Sequence, residues 1–213
     1  MTTSSDPSTH HHTAGLPAGA SWDERYSGED QVWSGRPNGA ETAGLRPGTA
    51  LDVGCGEGAD AVWLTQQGWE VTALDVSQVA LDRAETAAKA EEVAVRWVHA
   101  SLLEADRSAA GFDLVSAQYP ALLHTPGHDA ERALIDAVAP GGTLLVVHHA
   151  DVDPEHPKAR GFDPADYVSP ADVLARLDDG WRVEIDERRA RDIEGGEGAH
   201  HTDDLVLRAT RLR

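Results

Sequence analysis

Leu51-Asp52-Val53-Gly54-Cys55-Gly56-Glu57-Gly58 is the stretch that decides the fold, because an apolar strand runs straight into a glycine-rich turn. Residues 50–53 are typical of a buried strand, and residues 59–67 after the turn are typical of a helix. The glycines permit a tight turn and a close approach of the backbone to a ligand. Asp75 ends the next strand, about 20 residues further on, where a carboxylate can accept two hydrogen bonds from a ribose diol.

Outward from this turn, short apolar runs alternate with helical stretches, which indicates βαβ units and a parallel sheet. Because crossovers are right-handed, such a sheet is doubly wound. The last two strands are joined by a loop without a helix, so the final strand should run antiparallel. The sequence predicts a doubly wound, Rossmann-like α/β fold with a seven-stranded, mostly parallel sheet. The predicted strands cover residues 50–53, 70–74, 93–99, 112–117, 143–148, 181–186 and 205–210, and the predicted helices residues 59–67, 77–91, 130–138 and 169–177.

Composition and charge limit the classes of function. The 213 residues suit one α/β domain, and the formal net charge of −19 repels phosphate backbones and anionic lipids. We therefore expect neither nucleic acid nor a membrane as partner. The expected oligomeric state is a monomer or a homodimer. No apolar run is long enough to span a bilayer. The single cysteine fits a reducing compartment, which predicts a cytoplasmic protein.

The chain divides into a tail and one domain. Residues 1–20 are rich in Ser, Thr, Pro and His and lack the features of a secretory signal, which predicts a disordered tail. The domain covers residues 21–213, and within it residues 21–46 form an N-terminal segment that could close over a ligand.

The glycine turn by itself fits two kinds of cofactor. Gly54, Gly56 and Ala59 also satisfy the dinucleotide fingerprint, so a nicotinamide-dependent oxidoreductase is the alternative from another class. Three features favour a different ligand. Asp52 is placed to face the amino-acid end of a cationic ligand, a Pro-Gly-Gly turn at residues 140–142 precedes the fifth strand, and the last strand is antiparallel.

On these residues the chain resembles the class I S-adenosylmethionine (SAM)-dependent methyltransferases. Ala50 to Ser77 resembles their motifs I and II, Phe112-Asp113-Leu114-Val115 their motif IV strand, and Ala139-Pro140-Gly141-Gly142-Thr143 a later motif. Trp22-Asp23-Glu24-Arg25-Tyr26 and the segment from Trp33 to Asn38 resemble the N-terminal part of small-molecule members near the tellurite-resistance and thiopurine methyltransferases.

The resemblance implies a set of cofactor contacts. Asp52 and the backbone of Gly54 and Gly56 would hold the methionine end of SAM, Asp75 the ribose hydroxyls, and Val76 the adenine. Ser101 stands where the family often has an acid that binds the adenine amino group. The implied cofactor-binding residues are Trp33, Asp52, Gly54, Cys55, Gly56, Asp75, Val76, Ser101, Leu102 and Gln118.

The chemistry is expected at the carboxyl ends of the parallel strands, where ligands bind in open α/β sheets. Tyr119, His149 and His201 fall at this rim in the predicted fold and are the candidates for a general base or an orienting group. A zinc site formed by the pairs at 148–149 and 200–201 is the alternative, although no cysteine or paired acidic motif supports it.

The acceptor predicted from the sequence is a small molecule with a soft nucleophile, best a thiol, and O- or N-methylation of a small metabolite is the alternative. The N-terminal segment resembles families that methylate sulfur, selenium or tellurium, and the rim lacks an acid cluster of the kind that metal-dependent catechol methylation uses. A thiol is partly ionised near neutral pH and needs the least help from a base.

Overall fold

The computed structural model describes residues 18–28, 31–38, 42–105, 111–150, 164–190 and 202–213. These residues form one seven-stranded sheet with helices on both faces. The helices are α1 (Ala18–Tyr26), α2 (Ala59–Gln66), α3 (Gln78–Ala90), α4 (Asp129–Asp136) and α5 (Pro170–Leu174), with a short 3-10 helix at Pro164–Asp166. The strands are β1 (Thr49–Val53), β2 (Glu70–Asp75), β3 (Arg96–His99), β4 (Phe112–Gln118), β5 (Val138–His149), β6 (Trp181–Ala190) and β7 (Asp203–Arg211).

The strand order is β3-β2-β1-β4-β5-β7-β6, and β7 runs antiparallel to the other six strands. The predicted fold class, with a mostly parallel sheet and an antiparallel last strand, is confirmed. The order reverses between β1 and β4, which makes the carboxyl ends of these two strands the switch point where such sheets bind ligands.

The fifth strand is longer than predicted. β5 begins at Val138, so the turn predicted at residues 140–142 lies inside the strand, at a register shift opposite Phe112 and Leu114. Gly141 adopts φ +82°, and a Cβ on Gly142 would lie 2.7 Å from the carbonyl oxygen of Phe112. The two glycines thus allow the strand to continue through an irregular stretch in which side chains at these positions would be strained.

The third strand is shorter than predicted. β3 begins at Arg96 because the Val93 N–H donates to the Ala88 carbonyl and closes the end of α3 instead of entering the sheet. At the other edge, β6 pairs with β7 along its whole length, from Trp181 opposite Arg211 to Ala190 opposite Asp203.

Local signals for the helices mostly hold. The hydroxyl of Ser77 accepts from the Ala80 N–H and caps the start of α3, and Gly68 adopts φ +92° after α2. α1 begins at Ala18, so the predicted end of the tail at residue 20 falls inside this helix. Residues 1–17 lie outside the described part of the chain.

The core lies on both faces of the sheet, as double winding requires. One cluster packs α4 and α5 on the sheet through Leu134 and Val173, and the other packs α2 through Ala61 and Leu64. All four side chains are almost completely buried.

Candidate functional site

The glycine turn connects β1 to α2 in a left-handed conformation. Gly54, Gly56 and Gly58 have φ of +70°, +52° and +84°, which side chains other than glycine rarely adopt. The Gly54 and Cys55 N–H groups both donate to the Leu74 carbonyl, at 2.9 and 3.0 Å. The turn is therefore tied to the end of β2, and its backbone lies at the switch point of the sheet.

Asp75 bridges the turn and the start of α3. Its Oδ2 accepts from the Gly56 N–H at 2.8 Å and its Oδ1 from the Ser77 N–H at 2.9 Å. Burial raises the pKa of this carboxyl above its ordinary value, against the opposing effect of these hydrogen bonds. A carboxylate with two N–H donors keeps further lone pairs for a ligand's hydroxyl groups.

Asp52 is a buried acid close to two other acids. It is 3% exposed, and burial first, then Asp60 and Asp75, raise its pKa. Its Oδ2 is buried with no hydrogen-bond partner among the described residues, as are Ser116 Oγ and Gln118 Oε1 on the neighbouring β4. Unpaired acceptors amid acids fit a cationic ligand with N–H donors, such as SAM, and disfavour the diphosphate of a dinucleotide.

The buried charge of Asp52 predicts a gain in stability on neutralisation. Asp52→Asn should raise the free energy of unfolding at neutral pH by about 1 kcal/mol, because an unpaired buried charge is removed. Since the folded-state pKa is raised from 3.8, the gain should be absent below pH 3.8 and develop as the pH rises toward the folded-state pKa. Urea denaturation across this range measures it.

The matched control for Asp52→Asn is Asp113→Asn. Asp113 Oδ2 accepts from the Thr49 N–H and hydroxyl at 2.8 and 3.0 Å at an exposed position, so its neutralisation should give no gain. Equal responses of the two variants at neutral pH would show that Asp52 carries no burial penalty.

The N-terminal segment covers the turn. Trp33 Nε1 donates to Tyr26 Oη at 2.7 Å, and a Cβ on Gly56 would lie 3.0 Å from that oxygen and 3.4 Å from Trp33 Nε1. Burial raises the pKa of the Tyr26 hydroxyl, which is therefore a neutral donor at the turn. The contact places Trp33, one of the implied cofactor-binding residues, beside the turn together with Tyr26, which sequence reasoning did not single out.

Two carboxylates fasten this segment to the domain. Glu57 in the turn accepts from the Val32 and Trp33 N–H groups, each at 3.1 Å, and pairs with Arg83 at 2.8 Å. Asp23 in α1 accepts from the Ser77 hydroxyl at 2.6 Å, which lowers the pKa of Asp23. Neither residue was predicted, although Glu57 lies within the motif and could have been marked as an anchor.

The residues predicted for the adenine side differ in what they offer a ligand. Val76 is partly exposed after β2, and the Ser101 hydroxyl donates to Glu104 at 2.7 Å. Leu102 is 1% exposed and packs in the core, so only its backbone can reach a ligand.

Cys55 lies in the turn, and burial raises the pKa of its thiol, which favours the unreactive protonated form.

At the rim the structure brings Tyr119 and His149 together and adds an acid that sequence reasoning missed. The two rings stack with centroids 4.3 Å apart, and Asp204 of β7 accepts from the Tyr119 hydroxyl at 2.6 Å. Gln118 ends β4 beside them. His201, the third predicted residue, lies outside the described residues.

Within the described part of the chain, no group of three or more His, Cys, Asp or Glu side chains could hold a metal ion. The alternative zinc site also needs residues 200 and 201, which fall outside that part. No helix in the described ranges is long and apolar enough to cross a membrane.

Comparison with known proteins supports the fold. Residues 50–142 match the family model described as a methyltransferase domain. An uncharacterized methyltransferase of Mycobacterium tuberculosis is 41% identical over 100 residues, which are 46% of this chain and 48% of the relative. The matched part thus spans about half the length of that curated relative.

Two solved structures cover nearly the whole chain. One comes from work on the conversion of a disulfide bond into a thioacetal group during echinomycin biosynthesis (24% identity, TM-score 0.70, 91% of this chain and 92% of that chain). The other is Burkholderia thailandensis 1,6-didemethyltoxoflavin-N1-methyltransferase with bound 1,6-didemethyltoxoflavin and S-adenosylhomocysteine (21% identity, TM-score 0.62, 94% of this chain and 93% of that chain). The chain shares its fold with these two structures, and the match to the methyltransferase-domain model is confined to residues 50–142.

Proposed function

We propose that the protein is a SAM-dependent methyltransferase that acts on a small molecule. The observation that carries this proposal is the buried, unpaired oxygen of Asp52 beside the left-handed glycine turn. SAM is a net cation with an ammonium group, and its charge complements the acids there. A nicotinamide dinucleotide would bring its diphosphate into the same negative field, so the oxidoreductase alternative is less favoured.

Different residues at the turn would bind different parts of the cofactor. Asp52 and the backbone of Gly54 and Gly56 would hold its methionine end, Asp75 its ribose, and the Tyr26–Trp33 pair would cover it and exclude water. SAM supplies a methyl group on a positively charged sulfur, which is already a good leaving group. The protein's main contribution is then alignment and proximity.

The matches to known methyltransferases support this proposal. They include curated proteins named as methyltransferases, and one similar structure is a small-molecule N-methyltransferase with S-adenosylhomocysteine bound. We propose a small-molecule acceptor, a cytoplasmic location, and a monomer or homodimer. The net charge of −19 is unfavourable for nucleic-acid and anionic membrane partners.

Ligand-induced stabilisation tests the cofactor. S-adenosylhomocysteine at about 100 times its Kd should raise the free energy of unfolding by about 2.7 kcal/mol. That corresponds to roughly 5–10 °C in Tm for a domain of this size. Thermal unfolding in the presence of S-adenosylhomocysteine, and separately in the presence of NAD, measures the shift in Tm that each ligand causes. A shift with NAD alone would replace the methyltransferase by the oxidoreductase.

For the acceptor we propose a soft nucleophile, with a thiol first. The N-terminal residues Trp22–Tyr26 and Trp33–Asn38, which resemble those of sulfur-methylating families, support it. Release of S-adenosylhomocysteine should be faster with benzenethiol than with phenol. The thiol rate should become independent of pH above the thiol's own pKa, where the phenol is still protonated and its rate still rises with pH. Methylation of phenol without methylation of benzenethiol would reject the thiol and leave the methyltransferase standing.

A further inference from the structure

Three side chains form a hydrogen-bonded network at the rim, one directly after β4 and one each from β5 and β7. The Tyr119 hydroxyl donates to Asp204 Oδ2 at 2.6 Å, and His149 Nδ1 lies 3.3 Å from Asp204 Oδ1. The side chains of His149 and Asp204 are 15% and 10% exposed. The acid therefore has a different partner on each oxygen, in a partly water-excluded position.

The sheet itself fixes this network. His149 and Asp204 are direct partners in the antiparallel pairing of β5 and β7. Tyr119 adopts φ +53°, and its N–H donates to the Val147 carbonyl at 2.8 Å. A left-handed conformation is costly for an aromatic residue and is typical of functional sites.

The network borders the glycine turn. Pro120 follows Tyr119, and a Cβ on Gly54 would lie 3.6 Å from the Pro120 Cα. The backbone after β4 therefore passes directly over the turn that we propose for the methionine end of SAM. A nucleophile aligned with the transferable methyl group would lie near the side chains that follow β4.

We propose that Asp204 is a positioning residue. It holds the Tyr119 hydroxyl in place and orients the His149 imidazole, which takes up the proton of the molecule that is methylated. This inference rests on the proposed function. A carboxylate only accepts hydrogen bonds, so the Nδ1 facing it carries the proton and Nε2 is left as the basic nitrogen.

The proton balance follows from that tautomer. When an acceptor X–H is methylated, the X–H bond breaks, its electron pair forms the X–CH3 bond, and the sulfur keeps the pair of the broken S–CH3 bond. The proton goes to His149 Nε2, and the resulting imidazolium is stabilised by the Asp204 carboxylate. Acceptors that bind as protonated O–H or N–H compounds depend on this step more than thiols do.

Asp204→Asn tests the inference with little change in shape. Asparagine offers one acceptor oxygen, and when Tyr119 keeps it the amide NH2 faces His149 Nδ1. That arrangement forces the proton onto Nε2. The ¹⁵N NMR signals of His149, assigned by their loss in His149→Gln, should show the Nδ1–H tautomer in the wild type and the Nε2–H tautomer in Asp204→Asn.

Asp203→Asn is the matched control. Asp203 is the preceding residue of β7 and pairs with Arg188 at 2.6 Å, so the same chemical change there should leave the His149 tautomer unaltered. A wild type in the Nε2–H tautomer overturns the inference even when Asp204→Asn does not fold. Retention of the Nδ1–H tautomer in folded Asp204→Asn overturns it as well.

Kinetics and binding separate this inference from the proposed function. Asp204→Asn should lower kcat roughly 10-fold with benzenethiol and roughly 100-fold with phenol, whichever of the two is turned over. Its S-adenosylhomocysteine affinity should stay within about 2-fold of the wild type, since the acid acts through His149. A wild type that does not bind S-adenosylhomocysteine defeats the proposed function, whereas an unchanged kcat in Asp204→Asn defeats only the role of Asp204.

Discussion

Gly58→Ala should lower the free energy of unfolding by about 2–5 kcal/mol, because the added methyl group meets both a left-handed backbone conformation and close neighbouring atoms. Gly58 begins α2 with φ +84°, a conformation that costs an alanine about 1–2 kcal/mol. Its added Cβ would also lie 2.7 Å from Ala84 Cβ and 2.9 Å from Trp97 Cη2. Overpacking of this kind typically costs about 1–3 kcal/mol.

The steric part of this loss can be isolated with Gly44→Ala. Gly44 has nearly the same φ, +83°, and no atom of the described residues lies within 4 Å of its added Cβ. That variant should therefore lose only the conformational part, about 1–2 kcal/mol. Urea denaturation of both variants gives the difference. Equal losses would mean that the close contact between Gly58 and α3 does not limit stability.

Gly58 also shows what the sequence could predict. Three glycines directly after a buried strand indicate a tight turn and a close helix, and both are present. The short apolar runs between helical stretches predicted the parallel sheet, because central strands that are buried on both faces are apolar along their length. The antiparallel last strand followed from the missing helical crossover before it.

Contacts between distant parts of the chain could not be predicted. Asp204 is one of two adjacent acids, and only the register of β7 against β5 decides that it, and not Asp203, faces His149. A shift of one residue would exchange them. The contacts of Asp23 and Glu57 likewise depend on where the N-terminal segment, residues 21–46, lies on the domain, which no local pattern specifies.

Strand ends were mispredicted where local and tertiary preferences compete. Pro140, Gly141 and Gly142 favour a turn by themselves, but β5 continues through them because β4 offers a partner across the register shift. Residues 93–95 have strand-like side chains, yet the end of α3 uses the Val93 N–H first.

Asp75→Ala should raise the Kd for S-adenosylhomocysteine about 10- to 150-fold. Hydrogen bonds from ligand hydroxyls to a charged carboxylate contribute roughly 1.5–3 kcal/mol, which converts to that range. The variant also frees the Gly56 N–H, which Asp75 holds at 2.8 Å, so the turn should be less rigid before binding. Isothermal titration calorimetry measures the affinity.

The fold should survive this change. The lost hydrogen bonds to Gly56 and Ser77 are offset by removal of a buried charge whose pKa burial has raised, so the free energy of unfolding should change by only about 1 kcal/mol. Asp82→Ala is the control, because Asp82 is an exposed acid on α3 whose carboxylate accepts from Gln78 at 2.8 Å. Its affinity for S-adenosylhomocysteine should equal that of the wild type.

The pH dependence of binding identifies the ionised carboxylate as the group that acts. Asp75 accepts both ribose bonds only when it is charged, and its pKa in the folded protein lies above 3.8. Wild-type affinity should therefore decline on acidification while ordinary aspartates are still ionised, and Asp75→Ala should lack this decline. An unchanged affinity at neutral pH, or the same decline in both proteins, would remove Asp75 from the ribose and leave it as the bridge between the glycine turn and α3.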